Sequence, residues 1–370
     1  MVEPELNVLL VSGEFQIRGS CAYTLRLGRR LPEYGFRVRI VCPNADMLDP
    51  DCRRQLDVAA YPHLNSPLVR NVVLQWVQCD LAQQPPDLIH IQTRRMLQPG
   101  TQLARNLRRP FILSVHDYVG PSERLQIDWR WCHRVVAVSE SVRRSFLSRT
   151  GLPADRVVTI PSGVDATDLT GVTPPLDPGH VPVVGTAGPL EAVKGLPFFL
   201  GAAQKVLATG RDVEFLIAGA GPEEPHLRRM ARELGIADKV TFVPQLADVA
   251  DSLAAIDIFC LPSLQQGLGT IMLEAMALGR PVIASRVGGV YSIVADNETG
   301  LLVPPSDSGQ LADRMLELLC NPSRARGLGE SARQMVLRDC SLETMLERTS
   351  QLYRDVVAEA RKCEKAPALL

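Results

Sequence analysis

At 370 residues the chain is long enough for about two domains, and its 46% hydrophobic and 22% charged content is ordinary for a soluble protein. No apolar run reaches the roughly 18 residues of a membrane-spanning helix, and a net charge of −1 excludes a dedicated nucleic-acid binder. The charge is unevenly spread. Residues 1–172 hold 21 Arg, no Lys and 17 acidic residues (+4), whereas residues 173–370 hold 19 basic and 24 acidic ones (−5). Such an imbalance steers the amino-terminal half toward an anionic surface, although a solvated basic face is an equal reading. The nine cysteines are scattered with no C-x-x-C pair, which fits a reducing cytoplasm better than a disulfide framework or a zinc site. The opening MVEPELNVLLVSGEF has no basic region before its apolar run and does not read as a signal peptide, so the expected location is cytoplasmic.

In chain order, Leu6–Val11 is an apolar strand, Gly13 and Gly19 bracket a loop, and Ser20 is placed to cap a helix running to about Glu33. Phe36–Cys42 is the next strand. Residues 44–66 have no clean period and read as loop with a little helix; Asp49-Pro50-Asp51 there matches a D-x-D metal pattern by chance. Asp87–Ile91 and Phe111–Val115 are strands, the second ending in His116-Asp117. Arg134–Val138 follows, then Ser139 and a basic helix to about Arg149, then Val157–Ile160. Strands alternating with helical stretches argue for a parallel sheet covered on both faces. A proline-rich run, Thr170–Pro182, reads as the linker. The expected domains are 1–172, completed by a returning helix at 341–363, and 173–340.

The second half opens with the strand Val181–Thr186 and the loop Gly188-Pro189-Leu190-Glu191-Ala192-Val193-Lys194-Gly195. Val213–Ala218 is a buried-type strand ending in Gly219-Ala220-Gly221. A dinucleotide fingerprint is excluded there, because Glu224 takes the third glycine position and Pro222-Glu223-Glu224 would repel phosphate at the helix entry. Thr241–Pro244 is another strand. Ile256–Leu261 is stopped by Pro262; Gly267 and Gly269 flank Leu268; Thr270 is a fair N-cap for the apolar helix Ile271–Leu278; Gly279 and Pro281 close it; and Pro281–Ala284 is the next strand. This βαβ unit sets its glycine loop at the carboxyl end of a strand, where open α/β sheets bind ligands, and a helix start attracts phosphate. On loop chemistry alone, a tight turn beside a solvated Glu274 remains the stronger reading. Thr299–Val303 is a short final strand, and from Asp307 the spacing is helical. Leu342, Leu346, Thr349, Leu352, Tyr353 and Val356 share one face of the last helix.

The stretch PSLQQGLGTIMLEAMALGRPVIAS resembles the donor-site signature of the family-4 retaining glycosyltransferases, which have the GT-B fold. That family reads P-S-x-x-E-G-F-G, with a second Glu after seven intervening residues. Pro262, Ser263, Gly267, Gly269 and Glu274 match; Gln266 stands for the first Glu and Leu268 for the Phe. The likeness covers most of the chain. Ile160–Asp165 resembles I-P-N-G-V-D with Ser162 for Asn. Gly188–Gly195 resembles G-R-L-x-x-x-K-G with Lys194 matching and Pro189 replacing Arg. Gly288–Ser292 resembles G-G-x-x-E with Ser292 replacing Glu.

The resemblance implies two Rossmann-like domains facing across a cleft, with the last helix crossing back to the amino-terminal one. It implies retaining transfer of a sugar from a nucleotide diphosphate sugar to a glycan, lipid or small-molecule acceptor, with no metal and no other cofactor. The implied catalytic residues are His116, Lys194, Gln266 and Glu274. The implied donor contacts are Gly19 and Ser20 of the Ile17–Ser20 loop, Lys194, Val243 beside the nucleobase, and Gly267, Leu268, Gly269, Thr270 and Glu274. Peripheral contact of the basic amino-terminal half with an anionic membrane is expected as well; nucleic acid is not. Pro189, Gln266 and Ser292 motivate a competing reading, a GT-B protein that binds a nucleotide or a partner without turnover. A GT-B epimerase or phosphorylase is a third.

Overall fold

Short apolar runs bounded by glycine loops and half-buried helices build two parallel sheets. The structure, a computed structural model, describes residues 5–15, 19–48, 50–120, 123, 125–165, 172–244 and 250–365. Two compact units share the chain: residues 1–162 with 343–370, and residues 163–342.

The first unit runs β1 (Leu6–Val11), α1 (Gly19–Arg30), β2 (Phe36–Cys42), α2 (Pro50–Gln55), β3 (Asp57–Ala60), α3 (Arg70–Leu81), β4 (Leu88–Ile91), α4 (Leu97–Leu107), β5 (Phe111–Val115), β6 (Cys132–Ala137), α5 (Glu140–Thr150) and β7 (Val157–Thr159). Its seven strands lie in the order β3-β2-β1-β4-β5-β6-β7. All pairs are parallel, with Leu6 opposite Phe36 and Val8 opposite Leu88. Burial on both faces explains why β4 and β5 are apolar but for His90 and Ser114, which bond each other at 2.8 Å. Strand order reverses between β1 and β4, so ligand space opens at the carboxyl ends of those two strands. The edge strand β3 falls in a stretch read from sequence as loop. Its four residues, DVAA, are half-exposed and carry little apolar signal, and pairing with β2 makes them a strand.

The second unit runs β8 (Val183–Ala187), α6 (Leu196–Leu207), β9 (Glu214–Ala218), α7 (Glu224–Glu233), β10 (Val240–Val243), α8 (Ala250–Ala254), β11 (Ile258–Leu261), α9 (Thr270–Ala277), β12 (Val282–Ser285), β13 (Leu301–Val303), α10 (Ser308–Cys320) and α11 (Pro322–Asp339). Its sheet order is β10-β9-β8-β11-β12-β13, with the reversal between β8 and β11. Phe199 of α6 meets Phe215 of β9 edge to face at 5.9 Å, and Ile217, Ile258, Ile283 and Met315 complete the packing. The entry to this unit is pinned by one buried carboxylate. Asp257 accepts the backbone N–H groups of Leu176 and Val183, each at 2.8 Å, and the Nε2–H of His180 at 2.9 Å. Its neighbour Arg280, also buried, donates to the Ala254 carbonyl at 2.7 Å.

The final helix, α12 (Leu342–Lys365), packs in the first unit from Glu343 onward. The face read from its spacing is buried at Leu346, Thr349, Tyr353 and Val356. Tyr353 meets Phe36 edge to face at 5.6 Å, Arg354 donates to the Tyr34 carbonyl at 2.7 Å, and Arg134 pairs with Glu359 at 2.6 Å.

Candidate active site

In the second unit, the loops after β8, β9, β11 and β12 meet at the strands' carboxyl ends, and glycine lets their backbones touch. Gly219 has φ +151, and a Cβ there would fall 1.9 Å from the Gly188 carbonyl oxygen. Gly188 N–H donates to Ala218 and Leu190 N–H to Ala220. The Gly-Ala-Gly run therefore packs one loop on another, which accounts for glycines that carry no dinucleotide fingerprint. Gly195, at φ +64, does the same against Pro262, whose carbonyl oxygen would lie 2.1 Å from an added Cβ. Leu264 N–H donates to the Val193 carbonyl beside it.

These contacts fix Lys194, which closes a 3₁₀ turn over Ala192–Lys194. Its ammonium donates to Gln266 Oε1 at 3.0 Å, and the buried Ser263 hydroxyl donates to the same oxygen at 3.2 Å. Two donors on one oxygen assign the amide orientation, with the Gln266 NH₂ turned away from Lys194. The Gln266 carbonyl accepts from Gly289 N–H at 3.0 Å, and an added Cβ on Gly289 would fall 1.8 Å from the Gly267 oxygen. Ser292 donates to the Gly289 carbonyl at 2.9 Å. A small pocket between the ends of β8 and β11 is lined by Thr186, Gly188, Pro189, Lys194, Leu261 and Ser263.

The helix behind this loop starts one residue earlier than the sequence suggests. Gly269 is the N-cap, at φ 92, and Thr270 is the first helical residue, with no side-chain cap. A left-handed N-cap suits glycine and disfavours a β-branched residue, which moves Thr270 into the helix. The first amides of α9 thus face the glycine loop, a geometry that favours anions. Leu268 is buried, and Glu274 is half-buried one turn into α9. Val243 ends β10 and is half-buried; Gln245 and Leu246 of its loop lie outside the described residues. A wider open groove of about 790 Å³ lies between the 293–299 segment and α11, with Asn297 and Arg324 on its wall. Its lining shares no residue with the pocket between β8 and β11, and Arg324 is already engaged by Asn297 and Glu317.

In the first unit, His116 follows β5 beside the β1–β4 reversal. Its ring meets Tyr23 of α1 edge-on at 5.2 Å. Burial lowers its pKa to about 4, outweighing Asp117 and a hydrogen bond to the Gln92 backbone, so the imidazole is neutral. Nε2 is buried without a protein partner. Behind it, His90 of β4 contacts Tyr353 Oη through Nδ1 at 2.5 Å and Ser114 Oγ through Nε2 at 2.8 Å, and burial lowers its pKa to about 3. Tyr23, His90 and Tyr353 were not singled out as site residues from sequence; the one available signal was a histidine inside an apolar strand. Gly19 and Ser20 open α1, but their side chains, and Ile17 and Arg18, lie outside the described residues, as does Asp49 of the D-x-D match. Among the described residues no group of three His, Cys, Asp or Glu stands close enough to hold a metal ion.

Lys194, Gln266, Gly267 and Gly269 are thus gathered in the second unit, with Glu274 one turn into the adjoining helix, and His116 stands in the first. Against known proteins, residues 181–321 match the family described as Glycosyl transferases group 1, and residues 17–168 match Glycosyltransferase Family 4. An alpha-D-kanosaminyltransferase of Streptomyces kanamyceticus is 31% identical over 47% of this chain and 46% of its own length. A phosphatidyl-myo-inositol mannosyltransferase of Mycobacterium leprae is 28% identical over 81% of each chain. The alignments to the first four such relatives span 40–55% of those proteins, so the chain matches about half their length. The fold is shared with Anabaena HepE in complex with UDP-glucose (TM-score 0.80, 20% identity, 95% of this chain and 100% of that one) and with a glycosyltransferase of Rickettsia africae (0.81, 19%, 95% and 99%). Two all-parallel Rossmann-like units, the glycine-locked loop around Lys194 and Gln266, and family matches on both halves together make the chain a member of the family-4, group 1 glycosyltransferases of GT-B fold.

Proposed function

We propose that the protein transfers a sugar, with retention of configuration, from a nucleotide diphosphate sugar to a hydroxyl-bearing acceptor, without a metal. The observation that carries this reading is the Lys194–Gln266–Ser263 cluster beside the uncapped amino end of α9. In the reaction the bond from C1 to the β-phosphate oxygen breaks and a bond from C1 to the acceptor oxygen forms on the same face. The acceptor proton passes to the departing phosphate.

Lys194, the Gly267–Thr270 backbone and the α9 dipole stabilise the charge that grows on the diphosphate. They take the place a divalent cation holds in other transferases. Glu274 binds the ribose hydroxyls, and Val243 lies beside the base. Gln266 contacts the sugar through its NH₂. As an amide it cannot serve as a nucleophile, which supports a front-face route over a double displacement through two carboxylates. In the amino-terminal unit, Gly19, Ser20 and the neutral His116 are the proposed sugar contacts, and this unit is the proposed binder of the acceptor. The names of several relatives point to acceptors built on inositol or its phosphate or lipid derivatives, and that class is the first to test.

UDP, GDP and ADP are titrated in the presence of a chelator while the melting temperature is followed. At about 100 times the dissociation constant, the accepted nucleotide stabilises by about 2.7 kcal/mol. A panel of nucleotide sugars, read by nucleotide release with and without acceptor, then identifies donor and turnover. If no nucleotide shifts the melting temperature at millimolar levels, the donor site is misassigned. A shift without release under any donor establishes the binder without turnover instead.

A further inference from the structure

Two neighbouring residues of α1 brace His116 from one side. Tyr23 and Thr24 are both fully buried, on the face of the helix that Leu27 continues. The Tyr23 ring meets the His116 imidazole at 5.2 Å between centroids, with the planes 74° apart, an edge contact that aromatic rings favour. The Tyr23 hydroxyl lies near those of Thr349 and Ser114, so the contact with His116 is made by the ring. Thr24 donates to Gln92 Oε1 at 3.3 Å. Gln92 is itself fully buried and follows β4, with its N–H on the Val11 carbonyl at 2.9 Å. Its backbone in turn takes a hydrogen bond from the His116 ring. One helix therefore touches the imidazole directly and also steadies the residue that holds it.

These contacts fix which nitrogen carries the proton. A backbone carbonyl only accepts, so the ring nitrogen bonded to Gln92 is an N–H. Nε2 is buried without a protein partner, which assigns that N–H to Nδ1 and leaves Nε2 with a free lone pair in the neutral ring. A half-turn of the imidazole would set Cδ2 against the Gln92 carbonyl and Cε1 where Nε2 stands. Orientation thus decides whether the ring offers an acceptor at all. The charged groups facing it are Asp117, next in sequence, and Arg94. Arg94 is held by the Tyr118 carbonyl at 2.9 Å and by Glu123 at 3.4 Å, and His90 lies behind, kept neutral by burial.

We propose that Tyr23 is a positioning residue for the reaction: with Thr24 and Gln92 it holds the His116 ring so that the bare Nε2 accepts a hydrogen bond from a substrate hydroxyl. This rests on the sugar contact proposed for His116 and adds what gives that contact its direction. An aliphatic side chain at position 23 would offer no ring edge. Water would then reach the imidazole, and Nε2 would be turned away or protonated over a wider range of pH. A reacting group misplaced by about 1 Å can cost about 10²-fold in rate, so a wall that never touches substrate is enough to set turnover.

The test follows the His116 imidazole of the full chain by proton–nitrogen NMR without substrate, its signals identified by their loss in His116→Gln. Wild type should show one tautomer, protonated at Nδ1, with a titration midpoint near 4. Tyr23→Leu should mix the tautomers and raise the midpoint to within about one pH unit of the ordinary 6.5. It should also lower kcat by about tenfold or more. Nucleoside diphosphate affinity should stay unchanged, because that grip lies in the second unit. Tyr23→Phe keeps the ring edge and should keep the wild-type midpoint, with kcat within about threefold of wild type. Should Tyr23→Leu fold poorly, Tyr23→Met takes its place, since its flexible side chain fills the space without a ring edge. An aliphatic variant that leaves both midpoint and kcat unchanged overturns the proposal. So does a Tyr23→Phe as damaged as Tyr23→Leu, or a wild-type ring protonated at Nε2 or titrating near 6.5. A wild type that shows the expected ring yet turns over no donor counts against the proposed reaction, and the midpoint of the aliphatic variant then decides on its own whether Tyr23 orients His116.

Discussion

Gln266 turns its amide oxygen to Lys194, at 3.0 Å from the ammonium, and its NH₂ the other way. The glutamate usual in the family would meet that ammonium as a carboxylate. The glutamine leaves Lys194 a full charge from this neighbour and offers N–H donors to whatever lies beyond. Lys194→Ala should therefore be the most damaging single change at the donor loop, lowering kcat/KM by about 10²- to 10³-fold with little effect on stability. Gln266→Glu should shift the preference among donor sugars, because a carboxylate accepts hydrogen bonds and cannot give them. Turnover by Lys194→Ala within about threefold of wild type would place the diphosphate elsewhere.

Gly289 is a sharper probe of the same loop, because its backbone is the contact. Gly289→Ala would drive a methyl to 1.8 Å from the Gly267 oxygen and strain the bond to Gln266. The loop must shift to accept it. Nucleotide affinity should fall by about tenfold or more while most of the unit's stability is kept. Calorimetric titration of the nucleotide identified by thermal shift decides it, and unchanged affinity would separate Gly289 from the donor site.

Asp257 concentrates stability in one side chain. It is 2% exposed and holds three donors from the segment that enters the second unit, with buried Arg280 in its field. Asp257→Ala leaves two backbone N–H groups buried without acceptors. A loss of about 3–5 kcal/mol is expected. Urea unfolding measures it, and a loss below about 1 kcal/mol would mean that water replaces the carboxylate.

Acid should weaken the first unit through its two buried imidazoles. His90 and His116 sit near 3 and 4, below the ordinary 6.5, because burial disfavours their charged forms. The unfolded chain takes up these protons first. Each group's contribution is intact above about pH 6.5 and is lost as pH falls toward the folded value, at about 1.4 kcal/mol per unit. Unfolding free energy should thus drop by a few kcal/mol between about pH 7 and pH 4.5. His90→Gln should make that slope shallower by about one proton. Equal slopes in variant and wild type would show that His90 is already charged or exposed.

Much of the fold is legible in residue order because it is parallel. Strands buried on both faces are mostly apolar runs, and Phe36–Cys42 and Phe111–Val115 appear with the bounds expected of them even though the first carries Arg37 and Arg39 and the second Ser114. The strand β3 is hidden because an edge strand needs no such run. The donor loop is legible for another reason. Backbones that touch demand glycine, so Gly195, Gly219 and Gly289 mark the crossings even where their partners are unseen. Those partners depend on closure over long separations. Lys194 and Gln266 are 72 residues apart and His90 and Tyr353 are 263 apart, and no local spacing pairs them. The misplaced cap at Thr270 has a local cause: glycine before a threonine can take the left-handed turn and push the threonine inside.

The bond between His90 and Tyr353 also sets an order of events during synthesis. A ribosome adding about 5–20 residues each second needs roughly 15–50 s to cross the interval between them. Through that time β1 to β4, joined in turn by β5 to β7, exist without the helix that covers Phe36 and His90. The unit at 163–342 is continuous and can close on itself first. The half that starts the chain is therefore the last to be finished, and its exposed flank is where a chaperone has most to shield.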